Sequence, residues 1–352
     1  TRRTKRTRRM ASSSAPGACP YFVAPSTATK SCSDQDASAI GGVCSEHGLK
    51  PASSSWTAGK ATVNQDVAVV ARPTKDSVFL GVFDGHGEHG SQVARFACEH
   101  LVSQGGDGDL SRQFVECDRE LQRSSVPSES SGTTATTVLL NADSVRVACV
   151  GDSRCVLASG PARSRRRSRL LRVRLHWRAT ELSEDQRAWL PSERARITAH
   201  GGLVWGEEGR AERVWGRGAD GQFFGGLVVS RAIGQHSLAA AGVIATPVVV
   251  QRALTEEDRC LIVASDGVWD VLGSAEAVSI CERCWPDSTS ASRAVVRRAK
   301  RRWTTLVGSG QGRDDITAIV VCLPLRGCDG RLVRDDEGGA ALPDVASVSS
   351  AE

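Results

Sequence analysis

Four aspartates in this chain each stand at one end of an apolar, strand-like run. Asp66 leads into residues 67–71 (VAVVA). Asp84 follows residues 78–83 (VFLGVF) and opens Asp84-Gly85-His86-Gly87. Asp266 follows residues 260–265 (CLIVAS) and opens Asp266-Gly267-Val268-Trp269-Asp270. Asp314 and Asp315 precede Ile316–Cys322. Short β-rich runs bounded by Gly or Asp read as buried strands. Carboxylates at several strand ends can converge on one edge of a sheet. Convergent hard oxygen ligands suit Mg²⁺ or Mn²⁺ rather than zinc, so the pattern points to metal-assisted hydrolysis.

The chain of 352 residues is 40% hydrophobic, enough to bury a real core in one large domain or two average ones. Its net charge of +5 is unevenly placed. Residues 1–10 carry six Lys/Arg and no acid, and residues 161–178 carry eight Arg and no acid. Without those two blocks, 31 basic residues face 40 acidic ones, so the body is acidic. The 12 Cys are scattered, and several (Cys149, Cys260, Cys322) fall inside apolar runs. That is the usage of reduced, buried thiols in an intracellular protein. Cytoplasm or nucleus is expected, with an organelle as the alternative that the basic N-terminus leaves open. The chain starts at Thr1 rather than Met, so further residues can precede it. No run of 18 apolar residues exists, and no membrane span is expected.

Residues 1–38 are basic and rich in Ser and Ala, and read as a disordered tail. Strand and helix signals fill 39–325, interrupted by an Arg-rich insert at 160–178. Residues 326–352 read as a second disordered tail. Helices are expected at 91–103 and at Leu110–Arg123, where apolar residues recur at 110, 114, 117 and 121. Two strands, 131–140 and Ser144–Val150, are joined by a turn at 141–143. Strands in runs, with helices grouped between them, argue α+β rather than alternating βαβ.

The motifs occur in a telling order: Asn64-Gln65-Asp66; Asp84-Gly85-His86-Gly87; Ser131-Gly132-Thr133-Thr134-Ala135; Gly151-Asp152-Ser153-Arg154; residues 193–197 with Gly201-Gly202; Ser230-Arg231-Ala232-Ile233-Gly234; residues 242–247; Asp266 to Asp270; and Asp314 to Thr317. Any one is weak, because an Asp-Gly alone is usually a turn. In this order they resemble the metal-dependent serine/threonine protein phosphatase family, type-2C or PPM class. The resemblance implies a four-layer sandwich, two antiparallel β-sheets flanked by α-helices, with the site at one end. It implies two Mg²⁺ or Mn²⁺ ions held by Asp66, Asp84, Asp266 and Asp314, with Gly85 lending its carbonyl. Asp152 and Asp270 would sit by a weaker third ion. It also implies hydrolysis of phosphoserine and phosphothreonine by direct attack of a metal-bridging hydroxide. His86, two residues after Asp84, would donate a proton to the leaving oxygen or else orient the site.

The chain departs from that family pattern at several positions. Gln65 stands where many members are acidic, Gln186 where His is common, Gln235 where Asp is common, and Asp315 where many have Asn. The phosphate-binding Arg expected shortly before Asp66 is absent, and Lys60 is assigned that role as the nearest cation.

Rival readings are weaker. Cys117 and Arg123 fit the C-x5-R spacing of cysteine-dependent phosphatases, but the loop between them has no Gly and is acidic, which opposes a thiolate. Asp84-x-His86 fits the opening of a calcineurin-like metallophosphatase, but no Gly-Asn-His follows. Cys281 and Cys284 form a lone CxxC on a helix-like stretch and read as packing. A pseudophosphatase, the same fold serving as a binding module, is the alternative function; loss of the metal aspartates would mark it, and all four are present. A nucleic-acid role lacks a reading module.

The expected partners are phosphorylated proteins, and the expected state is a monomer. In the insert, Leu171, Val173, Leu175 and Trp177 alternate with Arg172, Arg174, His176 and Arg178. That period of two predicts an extended arm with one cationic face, suited to acidic partners.

Overall fold

The computed structural model describes residues 21–24, 41–49, 63–74, 77–105, 108–161, 176–207, 211–308 and 312–324. Lys60, insert residues 162–175 and the C-terminal tail lie outside them.

The chain lays down β1 (Tyr21–Ala24) and β2 (Gly42–Glu46), then the long pair β3 (Asp66–Thr74) and β4 (Ser77–His86). Helices α1 (Gly90–Ser103) and α2 (Leu110–Arg123) follow, and then β5 (Gly132–Thr133), β6 (Ala135–Leu140), β7 (Ser144–Val150) and β8 (Arg154–Ser159). Next come β9 (Arg178–Glu181), α3 (Pro191–Ala199), β10 (Leu203–Trp205), β11 (Arg213–Arg217) and β12 (Phe223–Leu227). The chain closes with β13 (Ile233–Gly234), a 3-10 turn at His236–Ala241, β14 (Val248–Ala253), β15 (Asp258–Ala264), α4 (Asp266–Trp269), α5 (Ser274–Cys284), α6 (Ser288–Val307) and β16 (Ile316–Cys322). Among these residues no helix is long and apolar enough to cross a membrane.

Two antiparallel sheets carry the fold. One runs β1-β3-β4-β6-β7-β14, with β5 joining β4 to β13, and the other runs β2-β16-β15-β8-β9. Alternation along the strands explains the layers, because successive side chains point to opposite faces. Val70, Leu80, Val82, Val138 and Val147 of the first sheet meet Leu157, Leu261, Val263 and Ile319 of the second in one buried cluster. The alternate residues Val67, Val69, Phe79 and Phe83 face outward and pack under α1 and α2 with Leu101, Phe114 and Leu121. Ile262, Ala264, Ala318 and Val320 face the other way, under Val278, Val295 and Ala299 of α5 and α6. The result is helix, sheet, sheet, helix, an α+β sandwich. Fully burying a Leu or Val of this kind contributes about 1.5–3 kcal/mol.

Local chemistry starts the helices. Asp109 accepts a hydrogen bond from the Arg112 amide at the head of α2 (3.2 Å), and Asp287 accepts from the Ser290 amide at the head of α6 (2.9 Å). Such caps satisfy amides that have no partner inside the helix.

Two features differ from the sequence expectation. β1 lies inside the stretch assigned to a disordered tail, yet it pairs antiparallel with β3, Tyr21 opposite Ala71. Its four residues, YFVA, form an aromatic and β-branched run suited to an edge strand, so the tail assignment does not hold for them. A third, smaller sheet, β10-β11-β12, was not anticipated. With α3 and the 3-10 turn it forms its own core of Ala188, Ile197, Val214, Val229 and Leu238.

Candidate active site

Asp66 and Asp84 stand directly opposite each other at the ends of β3 and β4. Cross-strand neighbours lie about 4.5–5.5 Å apart at Cβ, and like charges placed so are destabilising. A fold tolerates that pairing where the charges have another use. Asp266 opens α4 just after β15, and Asp314 precedes β16, the neighbouring strand. Ser265 Oγ donates to Asp66 Oδ2 (2.8 Å), tying the two sheets together at this end. Asp152 sits in the turn between β7 and β8.

The chain approaches itself closely here. A Cβ on Gly85 would lie 2.4 Å from the Gly90 carbonyl oxygen and 2.9 Å from that of Gln65. A Cβ on Gly267 would lie 1.8 Å from the Asp315 carbonyl oxygen. Both positions exclude any side chain without backbone movement.

Electrostatics mark the cluster. Burial, and then the charges of Asp315 and Asp314, push Asp66 up to about 7. Burial, with Asp66, Asp266 and Asp314 beside it, raises Asp84 well above the usual carboxylate range. Asp266 is raised by burial and by Asp152, Asp314 and Asp270. Asp66 Oδ1 and Asp266 Oδ1 are buried with no hydrogen-bond partner. Asp314 and Asp270 stand at the exposed rim. Perturbed carboxylates in one place are a mark of function. Among the described residues, no three His, Cys, Asp or Glu side chains stand close enough to close around an ion as they are. The buried, unpartnered oxygens of Asp66 and Asp266 are hard donors of the kind that small divalent cations take.

Between these carboxylates lies a cation that sequence reasoning missed. Arg187 Nε is 3.0 Å from Asp152 Oδ2, its Nη2 is hydrogen-bonded to Asp270 Oδ1, and the same Nη2 is 3.9 Å from Asp266 Oδ2. Burial opposes the Arg187 charge, and the carboxylates outweigh the burial. No periodicity or motif marks this residue in the sequence.

The unusual residues now have structural accounts. Asp315 accepts from the amides of Gln65 (2.7 Å) and Gly48, so both of its oxygens serve the backbone. An Asn offers only one acceptor oxygen for that task. Gln65 Nε2 donates to the Gly87 carbonyl (2.9 Å), bracing the chain where it leaves β4. Gln186 is buried; its Oε1 accepts from the Gly151 amide (2.8 Å) and its Nε2 donates to the Cys149 carbonyl (2.9 Å), fixing the Asp152 turn. Gln235 is the one non-glycine with positive φ among the described residues, at 55°. Arg154 forks onto Asp185 (2.8 and 2.6 Å) and lies over the Trp269 ring, 5.2 Å from its centroid. Glu193 is held by Arg231 (2.7 Å), Arg196 (2.7 Å) and Ser230. Burial alone would raise it, but these partners hold it at about 2. Breaking such a buried pair costs about 3–5 kcal/mol, so Glu193 ties the motifs at 193–197 and 230–234 together.

His86 follows Asp84 at the end of β4, its ring packed on Gly132, where a Cβ would lie 2.6 Å from Nε2. Nε2 is buried without a partner, and burial lowers the ring to about 4. Cys117 is fully buried on α2, and burial pushes its thiol up, as do Asp118 and Glu120. Burial and the neighbouring acids disfavour a thiolate there, which argues against the cysteine-phosphatase spacing. Cys281 and Cys284 are free thiols packed with α5 and α6.

A two-sheet sandwich with carboxylates gathered at one end is the arrangement that the resemblance to type-2C phosphatases implies. Residues 42–306 match the family described as Protein phosphatase 2C, and the chain belongs to that family. It is 31% identical to "Probable protein phosphatase 2C 65" of Arabidopsis thaliana over 78% of this chain and 76% of that protein. It is 33% identical to "Probable protein phosphatase 2C 64" of Oryza sativa subsp. japonica over 82% of this chain and 68% of that protein. Its fold is similar to the crystal structure of serine-threonine phosphatase 2C from Toxoplasma gondii, with a TM-score of 0.63, 21% identity and coverage of 86% of this chain and 99% of that one. The family is metal-dependent.

Proposed function

We propose that this chain hydrolyses phosphoserine and phosphothreonine in proteins with the help of two Mg²⁺ or Mn²⁺ ions. The observation that carries the reading is the Asp66–Asp84 cross-strand pair, with Asp266 beside it and buried oxygens that no hydrogen bond satisfies. Asp66, Asp84, Asp266 and Asp314, with the Gly85 carbonyl, are the residues that would hold the ions. When bound, divalent ions supply an activated water and positive charge against the phosphoryl oxygens. Ser265 Oγ holds one oxygen of Asp66, while Gln65 and Asp315 brace the neighbouring backbone through Gly87, Gln65 and Gly48. His86 is the donor of a proton to the departing serine or threonine oxygen. Residues 39–325 form the catalytic unit. Retention of all four aspartates speaks against a pseudophosphatase. Hydrolysis of a phosphothreonine peptide that disappears in chelator and returns with millimolar Mn²⁺ or Mg²⁺ is the expected result. Full turnover in chelator would sink the reading.

We also propose that the insert recruits acidic or multiply phosphorylated proteins. It leaves and rejoins the fold at the β8–β9 pair, where Ser159 faces Arg178. At its root His176 and Arg178 are exposed, while Trp177 is buried edge-on against Trp285, consistent with the period-two pattern. Arg283, Arg297 and Arg301 line a groove of about 290 Å³ between α5 and α6, and α5 packs on β9. Charge contacts of this kind are screened over about 8 Å at physiological salt. Replacing Arg172, Arg174 and Arg178 with Ser is expected to raise KM for an acidic phosphoprotein at low salt and to leave a small neutral substrate unchanged. An unmoved KM would make the insert a tolerated loop.

A further inference from the structure

Arg187 stands where the resemblance puts a weaker third ion. Its guanidinium spans Asp152 and Asp270, the two carboxylates assigned to that ion, and approaches Asp266 of the two-ion centre. Its side chain is 19% accessible and its partners are three carboxylates, so it is poorly placed to take up a substrate phosphoryl group. Neighbouring contacts hold it in position. The Arg187 backbone bridges to Val229, and Gln186, the preceding residue, is locked to the Asp152 turn by its side chain and by the bond from its amide to the Gly151 carbonyl (2.8 Å).

We propose that Arg187 is a tethered cation occupying the third-ion position, so that a divalent ion can bind Asp152 and Asp270 only by displacing it. This inference rests on the metal reading above and adds a competitor from the chain itself.

Distance and charge set an ion and the guanidinium in competition for these carboxylates. A small hard divalent ion sits about 2.0–2.1 Å from each carboxylate oxygen. Arg187 Nε lies 3.0 Å from Asp152 Oδ2 as an ion pair without hydrogen-bond geometry, and Nη2 is hydrogen-bonded to Asp270 Oδ1. An ion and a guanidinium cannot share that space. When the free protein holds its binding-competent arrangement only a fraction of the time, apparent affinity falls by that fraction. Arg187 would therefore weaken the third ion without touching the ligands of the other two. The rigid fork of Arg suits two carboxylates at once, whereas Lys offers a point charge. The same contacts neutralise the cluster when no ion is bound, so Arg187 also offsets the repulsion among Asp152, Asp266 and Asp270.

The test uses the full chain, with Mn²⁺ as the probe. Bound Mn²⁺ is counted by the electron paramagnetic resonance signal of the free ion, and melting is followed in chelator and in Mn²⁺. Arg187→Met is expected to bind one Mn²⁺ more than the unaltered protein at about 1 mM, with at least tenfold tighter affinity for that ion. Adding Asp270→Asn to Arg187→Met should remove the extra ion. In chelator Arg187→Met should melt lower than the unaltered protein, and Mn²⁺ should close the gap. An unchanged Mn²⁺ count, or a melting deficit that persists at saturating Mn²⁺, would make Arg187 a plain structural strut and overturn the inference. If the unaltered protein binds no Mn²⁺ at all, the metal reading fails first and this inference falls with it. Should Arg187→Met not fold, Arg187→Lys is expected to give a weaker form of both changes; behaviour identical to the unaltered protein overturns the proposal.

Discussion

Asp266→Asn is expected to cut turnover of a phosphothreonine peptide by about 10²–10³-fold, the scale at which one preorganised electrostatic contact contributes to catalysis. The same variant is expected to melt higher than the unaltered protein in chelator. The two effects have one cause. In the fold, burial and the charges of Asp152, Asp314 and Asp270 disfavour ionised Asp266. In the unfolded chain that carboxylate ionises freely. At neutral pH its charge therefore costs stability, and a neutral amide of similar shape removes the cost. Each pKa unit of such a shift corresponds to about 1.4 kcal/mol. A gain of about 1 kcal/mol raises the melting temperature of a domain this size by about 2–4 °C. Asp84→Asn should behave alike, because Asp84 is raised for the same reasons. Divalent ions should stabilise the unaltered protein and do far less for either variant. A folded Asp266→Asn protein with undiminished turnover would remove Asp266 from the chemistry. A lower melting temperature in chelator would instead make its carboxylate a structural hydrogen-bonding group.

How much of this was legible follows from what a sequence can encode locally. The strands bearing Asp66, Asp84, Asp266 and Asp314 were readable because both of their faces are buried, which leaves continuous apolar runs ending at a charge. Helix α2 was readable because its apolar stripe, Leu110, Phe114, Cys117 and Leu121, recurs every three or four residues and is buried. The β10-β11-β12 sheet left no such trace. Its strands are three to five residues long, and Phe223–Leu227 is largely exposed and carries two glycines. Arg187 was invisible for a different reason: its role lies in three partners at positions 152, 266 and 270, brought together only by the fold. Asp315 and Gln65 drew attention as departures from a family pattern. Only their hydrogen bonds revealed that both serve the backbone around the site.

His86→Ala is expected to slow hydrolysis of a phosphothreonine peptide by about 10²–10⁴-fold, the usual worth of a positioned proton donor. An aryl phosphate with an acidic phenol should be affected far less, because that leaving group departs without a proton. The contrast between substrates matters more than either loss alone. His86 Nε2 is buried and lacks a partner, so the free protein favours the neutral ring, with its pKa lowered to about 4. A neutral imidazole is a poor donor at pH 7. Donation thus requires an anionic phosphoryl group nearby to draw the proton onto the ring, since a neighbouring negative charge favours the cation. Protonation would then be coupled to substrate binding, and an empty site would hold no stray charge against Gly132. A donor must be protonated to act, so peptide turnover should fall as pH rises above the ring's value in the complex. Aryl phosphate turnover should lack that fall. His86→Ala should erase the difference between the two pH profiles. Equal losses on both substrates, with pH profiles that already coincide in the unaltered protein, would make His86 a packing residue on Gly132. The leaving oxygen would then need its proton from another source.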